Sequence, residues 1–136
     1  MTTSFISHAF ADNLRLVKSK LIIDPSDDTY LLSPIPKFAF VKSVWLQVVE
    51  AADVNPEACE VGWQGNGETA VTNGFISTDI ADPTVTGLKK AMKDTLVAFE
   101  GKYFSDASGM LTFTYAAGDA TTLGSFYIFA EYIVIH

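Results

Sequence analysis

The segment "SFYIFAEYIVI", Ser125 to Ile135, constrains the fold more than any other part of the chain. Both of its parities are apolar. Phe126, Ile128, Tyr132 and Val134 lie on one, and Tyr127, Phe129, Ile133 and Ile135 on the other. Aromatic and β-branched residues in such a run favour a strand. A strand with two apolar faces needs cover on both sides. One cover is the chain's own core. The second is another layer or a neighbouring subunit.

The remaining sequence consists of short apolar runs cut by Gly, Pro, Asn and Asp. "NLRLVKSKLII" alternates loosely through Leu14, Leu16, Leu21, Ile22 and Ile23, and reads as one strand or two short ones. "DPSDDTY" is a polar turn fixed by Pro25. Pro34 and Pro36 resist a central strand or a helix. "KFAFVKSVWLQVVEA" reads as a long, mostly buried strand, with Phe38, Phe40, Val44, Leu46 and Val48 on one parity and Val41, Trp45 and Val49 on the other. In "ACEVGWQ", Cys59, Val61 and Trp63 share a face, and Glu60, Gly62 and Gln64 form a wet one. "GMLTFTY" sets Leu111, Phe113 and Tyr115 inward and Thr112 and Thr114 outward, before a turn in "AAGDATTLG". "DPTVTGLKKAMKDTL" changes period, and Leu88, Ala91, Met92, Thr95 and Leu96 predict one short helix near Val85 to Lys93. Strands joined by such turns predict a mainly β fold, an antiparallel β-sandwich with jelly-roll-like winding. The expected division is an N-terminal arm over residues 1–13 and a single sandwich domain over 14–136.

Composition narrows the partners. Of the 136 residues, 49% are apolar and 18% are charged, against about a quarter charged in ordinary globular chains. No apolar run approaches the roughly 18 residues that span a bilayer, so no membrane is expected. An apolar excess without a span implies extra surface buried against a partner. The net charge of −7 repels phosphate backbones, which argues against direct nucleic-acid binding. Seven acids and no Lys or Arg lie between Ser43 and Leu88, which predicts an outward, solvated surface there. A single cysteine excludes an intrachain disulfide, and "MTTSFISHAF" lacks the pattern of a signal peptide. Both fit synthesis in a reducing cytoplasm.

Catalytic and ligand motifs are sparse. The two histidines are His8, in the arm, and His136, so neither a Ser-His-Asp triad nor a zinc site is well supplied. Cys59 alternates with Val61 and Trp63 and reads as a small buried residue. "DPSDD" lacks the spacing and glycine of an EF-hand loop. "VGWQGNGET" places Gly62, Gly65 and Gly67 close together, but their spacing is not a phosphate loop's and no Lys-Ser/Thr follows. Those glycines read as a positive-φ turn, and Asn73–Gly74 gives a second Asn-Gly turn signal. The chain is therefore read as no enzyme, with no catalytic residues, no metal and no cofactor; a glycosidase pair, whose carboxylates meet only in three dimensions, is the route that sequence leaves open.

The order of "SPIPKFAFVKSVWLQVVEA", "VGWQGNGETAVTNGFI" and "GKYFSDASGMLTFTYAAGDATTLGSFYIFAEYI" resembles small structural proteins of tailed bacteriophages. These are the head decoration, or cement, type and related fibre or spike head domains. The resemblance covers Ser33 to Ile135. It implies a non-enzymatic virion protein on the capsid surface, made in the host cytoplasm, often a homotrimer, bridging subunits of the major capsid protein. On that reading the interface residues are Phe5 and Phe10 of the arm with Phe126, Ile128, Tyr132 and Val134 of the last strand. The alternative is a carbohydrate- or receptor-binding head-fibre or tail domain. That alternative expects Trp63, Asn66 and Phe75 in an exposed loop.

Overall fold

The structure is a computed structural model and describes residues 14–65, 70–90, 102–104 and 108–135. The described residues form ten strands: β1 (Leu14–Lys18), β2 (Ile22–Ile23), β3 (Asp28–Ile35), β4 (Ala39–Glu50), β5 (Ala58–Gly65), β6 (Val71–Ile76), β7 (Gly87–Lys90), β8 (Lys102–Tyr103), β9 (Gly109–Ala116) and β10 (Ser125–Val134). One helical turn, α1 (Thr78–Ala81), follows β6. The strands form two antiparallel sheets. The larger runs β1-β10-β4-β7, with β2 on β10 and β8 on β4, and the smaller runs β3-β9-β5-β6. The fold is a β-sandwich, as the spacing of runs and turns predicts.

The core lies between the sheets. Leu111, Phe113 and Tyr115 of β9 are buried against Phe126 and Ile128 of β10 and Val44, Leu46 and Val48 of β4. The Phe113 and Phe126 rings sit 5.6 Å apart, within the range of favourable tilted pairs. The buried Tyr115 hydroxyl donates to the Leu123 carbonyl at 2.9 Å, which satisfies its polar end. Cys59 and Val61 point inward beside Phe113, as their alternation predicts.

Pro34 lies in β3, at the edge of the smaller sheet, where a missing N–H leaves no ladder bond unmade. The ladder is completed differently on the far edge of β10, where β1 ends and β2 has not begun. There the buried Ser19 hydroxyl donates to the Ile128 carbonyl (2.8 Å) and accepts from the Ile128 N–H (3.1 Å).

Four local expectations are corrected. The segment expected as a helix near Val85 to Lys93 is strand β7 over Gly87–Lys90, where Trp45 pairs with Lys90 and Val48 with Gly87. Residues 91–93 lie outside the described residues. The open edge of β4 offers backbone partners that a short isolated helix lacks. Helix instead forms earlier, over Thr78–Ala81, and Asp82 ends it in the left-handed region at φ 38°.

In β4 a single parity does not hold, because the register with β10 shifts between Glu131 and Tyr132. Val41 and Val44 are both buried, with Lys42 exposed between them. This is a bulge, and it turns Phe40 to the opposite side from Val44. Asn73–Gly74 is inside β6 and makes no turn. Gly62 is also within a strand, without positive φ. A Cβ there would strike the carbonyl oxygens of Val71 and Thr72, so close backbone approach fixes this glycine. The Trp63 ring lies over Gly74 in the same way, filling the space a side chain would need.

Candidate assembly interface

Opposed residues in an antiparallel ladder share a face. The outer face of the larger sheet can be read directly from its register. Phe129 opposes Trp45, Tyr127 opposes Gln47, and Ile133 opposes Phe40. Phe40 in turn opposes Tyr103, Gln47 opposes Leu88, and Leu16 opposes Glu131. Trp45, Tyr127, Phe129, Ile133 and Phe40 are partly exposed. Leu16 and Leu88, at the two margins, are 66% and 61% exposed. The result is a broad aromatic and aliphatic surface on a rigid sheet.

Lysines lie across it. The Lys18 ammonium sits 4.8 Å from the Tyr127 ring centre, and the Lys90 ammonium 5.5 Å from that of Trp45. Both are cation–π distances. Lys42 pairs with Glu131 at 3.4 Å, in the middle of the face. The smaller sheet presents a different exterior. Thr29 and Thr114 share a hydrogen bond at 3.0 Å, and the Thr72 hydroxyl donates to Glu60 at 3.2 Å. The larger sheet's face joins rings to cations, while the smaller sheet's carries hydroxyls and Glu60 beside an apolar patch at Leu31, Pro34 and Met110.

Burial, followed by the charge of Glu60, pushes the Cys59 thiol up to about 12 and holds it protonated, the opposite of an activated nucleophile. Among the described residues no three His, Cys, Asp or Glu side chains converge as a metal site would need. An open depression of about 420 Å³ on the smaller sheet is lined by residues such as Leu31, Pro34, Gln64 and Met110, none of which titrates. A second, of about 280 Å³, is lined by Glu57, Asp79 and Asp82 with Asn55, Pro56 and Thr78.

The residues expected at an interface divide unevenly. Phe5, Phe10 and Asn66 lie outside the described residues. Phe126 and Ile128 are fully buried in the chain's own core and cannot meet a partner. Tyr132 is partly exposed and packs on the edge of that core, and Val134 is partly exposed near the end of β10. The opposite parity, Tyr127, Phe129 and Ile133, faces outward. Sequence could not choose between them because both parities are apolar. Phe75, expected in an exposed loop, is fully buried, and Trp63 packs against it with ring centres 4.8 Å apart. Trp45, Phe40, Leu88 and the lysines over the rings were not singled out. Their signal was the second apolar parity of β10, whose neighbours depend on strand order.

No family model matches the chain, and no curated protein matches it. Solved phage capsids share its fold. One match is a chain of the acidic stable capsid structure of Helicobacter pylori bacteriophage KHP30, with TM-score 0.60 and 16% identity, covering 88% of this chain and 86% of that one. A chain of the capsid of Ralstonia phage GP4 has TM-score 0.61 and 14% identity over 90% of this chain and 85% of the other. A chain of the cyanophage Pam1 capsid asymmetric unit has TM-score 0.52 and 16% identity over 90% and 86%. At such identities the likeness is one of fold. It spans nearly the whole chain, so it takes in both sheets.

Proposed function

We propose that this chain is a non-enzymatic structural protein of a bacteriophage virion, which decorates and cements the capsid surface by bridging subunits of the major capsid protein. The observation that carries the reading is the end-to-end likeness of its sandwich to chains from three phage capsids. The outer face of the larger sheet supplies the means, because adhesion between subunits is driven by apolar burial. We read the winding as a jelly roll. With β1 and β2 taken as one split edge and β7 and β8 as the other, each sheet is four strands wide, and consecutive strands trade sheets everywhere but at the β5–β6 pair. A homotrimer seated over a joint between shell subunits completes this proposal.

Such a protein stabilises a shell as any ligand of the native state does, by about 2.7 kcal/mol per site at a hundredfold excess over Kd. The glycan-binding alternative finds less support, since Trp63 is engaged with Phe75 and Gly74. The test is co-sedimentation of the purified protein with shells assembled from the major capsid protein of the same phage. The expected result is saturable binding at a fixed ratio to shell subunits, with a higher melting temperature of the shell. No binding to mature or immature shells would refute the proposal.

A further inference from the structure

The charges are sorted by sheet. The strands of the larger sheet carry Arg15, Lys18, Lys42, Lys89, Lys90 and Lys102 against Glu50 and Glu131. Six bases against two acids leave that sheet at +4, within a chain whose total is −7, so the rest carries −11. The strands of the smaller sheet hold no Lys or Arg, and carry Asp28 and Glu60. Of these, Lys18, Lys42 and Lys90 belong to the apolar outer face with Glu131, whereas Lys89 opposes the buried Leu46, Lys102 opposes the buried Val41 and reaches the Trp63 ring, and Arg15 opposes Tyr132 on the inner parity.

We propose that the outer face of the larger sheet is the docking surface, and that it takes an apolar protein surface rimmed with carboxylates, belonging to the capsid shell. This rests on the virion reading above. Three observations support it. The rings of Trp45, Tyr127 and Phe129 supply the kind of central aromatic cluster that dominates interface energies. The exposed Lys18 and Lys90, on the strands either side of the pair β10-β4, hold their ammonium groups over the Tyr127 and Trp45 rings, where an opposed carboxylate would meet them. The area is also sufficient. The six strands hold 5, 2, 12, 4, 2 and 10 residues, and at about 3.3 Å along and 4.8 Å across per residue they cover roughly 550 Å². Side-chain relief brings that near the about 800 Å² per partner of a standard interface.

A second copy is a poorer occupant. Pairing two such faces would set Lys18, Lys42 and Lys90 against the same lysines, with Glu131, already engaged by Lys42, as their acid. Like charges across an interface disfavour it. Encounter with an acidic rim is instead steered by the same sorting that would repel the protein's own acidic side.

The experiment measures binding of the full chain to the assembled shells as variants are made. Lys18→Glu, Lys42→Glu and Lys90→Glu together should weaken binding roughly a hundredfold at low salt. Phe129→Ala should weaken it roughly tenfold, and Glu60→Lys on the smaller sheet should leave it unchanged. If the triple reversal fails to fold by thermal melt, the triple Lys→Gln variant replaces it, with a loss of roughly tenfold expected. Wild-type affinity should fall as salt rises. Undiminished binding of the lysine and Phe129 variants overturns the docking face while leaving the virion reading in place. A wild-type chain that never binds shells overturns both. A wild-type oligomer that the Phe129 variant converts to monomer assigns the face to a second copy and overturns the shell assignment. Retention of duplex DNA that the lysine variant loses does the same in favour of nucleic acid.

Discussion

Substituting neighbouring residues of β10 separates the side of that strand that folds the protein from the side left for a partner. Ile128 is fully buried and opposes Leu46. Ile128→Ala removes three carbons, worth about 0.8 kcal/mol each in transfer, and leaves a cavity between the sheets that adds about 1 kcal/mol more. The expected loss is about 3–4 kcal/mol. For a domain of this size each kcal/mol shifts the melting temperature by about 3–5 °C, so the midpoint should fall by roughly 10–20 °C. Phe129 lies one residue on but faces outward, opposite Trp45 and 6.1 Å in ring separation from Tyr127. Phe129→Ala forfeits cross-strand contacts worth at most about 1 kcal/mol. Its midpoint should stay within about 5 °C of wild type. Thermal denaturation followed by circular dichroism, on the free protein, reads both. Equal destabilisation by the two variants, or a larger effect at Phe129, would refute the assigned parity and with it the docking face.

Other consequences follow from particular contacts. Gly62→Ala should cost about 1–3 kcal/mol in urea titrations, because the obstruction is the backbone of Val71 and Thr72, which moves only by separating β5 from β6. A wild-type midpoint would show that β6 is free to give way. Ser19→Ala should cost about 1–3 kcal/mol, since it strips the Ile128 N–H of its buried partner, and amide exchange at Ile128 should quicken. Unaltered exchange there would disprove the ladder repair. Cys59 and Tyr115 both have thiol or phenol groups pushed up to about 12 by burial, from 9.0 and 10.0. In each case the folded state holds its proton more tightly than the unfolded one. Their contribution is therefore complete below about pH 9 and declines as pH rises toward about 12. Cys59→Val should flatten the lower part of that alkaline decline, and thiol reagents at pH 8 should label Cys59 only under denaturant. Rapid labelling of the native protein would contradict its burial.

Sequence reasoning recovered the β-sandwich because its signals are local. Alternation in "ACEVGWQ" and "GMLTFTY" names the side of β5 and β9 that meets the other sheet, although Gly62 and Thr112, expected on the wet side, are buried as well, and Pro34 marks an edge. What it missed depends on neighbours that are remote in sequence. The bulge at Lys42 arises from the register against Glu131 and Tyr132, some ninety residues on, and reverses the side on which Phe40 lies. Gly62 and Gly74 look like turn residues because turns are the commonest use of glycine. Their actual use, admitting the β6 backbone and the Trp63 ring, exists only once β5 and β6 are paired. Over Gly87–Lys90 the helical period in the letters yields to the open edge of β4. The docking face was half legible. The doubly apolar last strand announced a second cover, while the choice of parity and the gathering of lysines around it required the strand order β1-β10-β4-β7.

The most direct measurement is a cryo-electron microscopy reconstruction of shells saturated with the protein, at a resolution that places side chains. The account predicts density for the sandwich on the shell, with Trp45 and Phe129 in contact with capsid residues, carboxylates beside Lys18 and Lys90, and Thr114 and Glu60 turned to solvent. A sandwich bound with Trp45 and Phe129 facing solvent would contradict the docking face, and shells without added density would contradict the virion role itself.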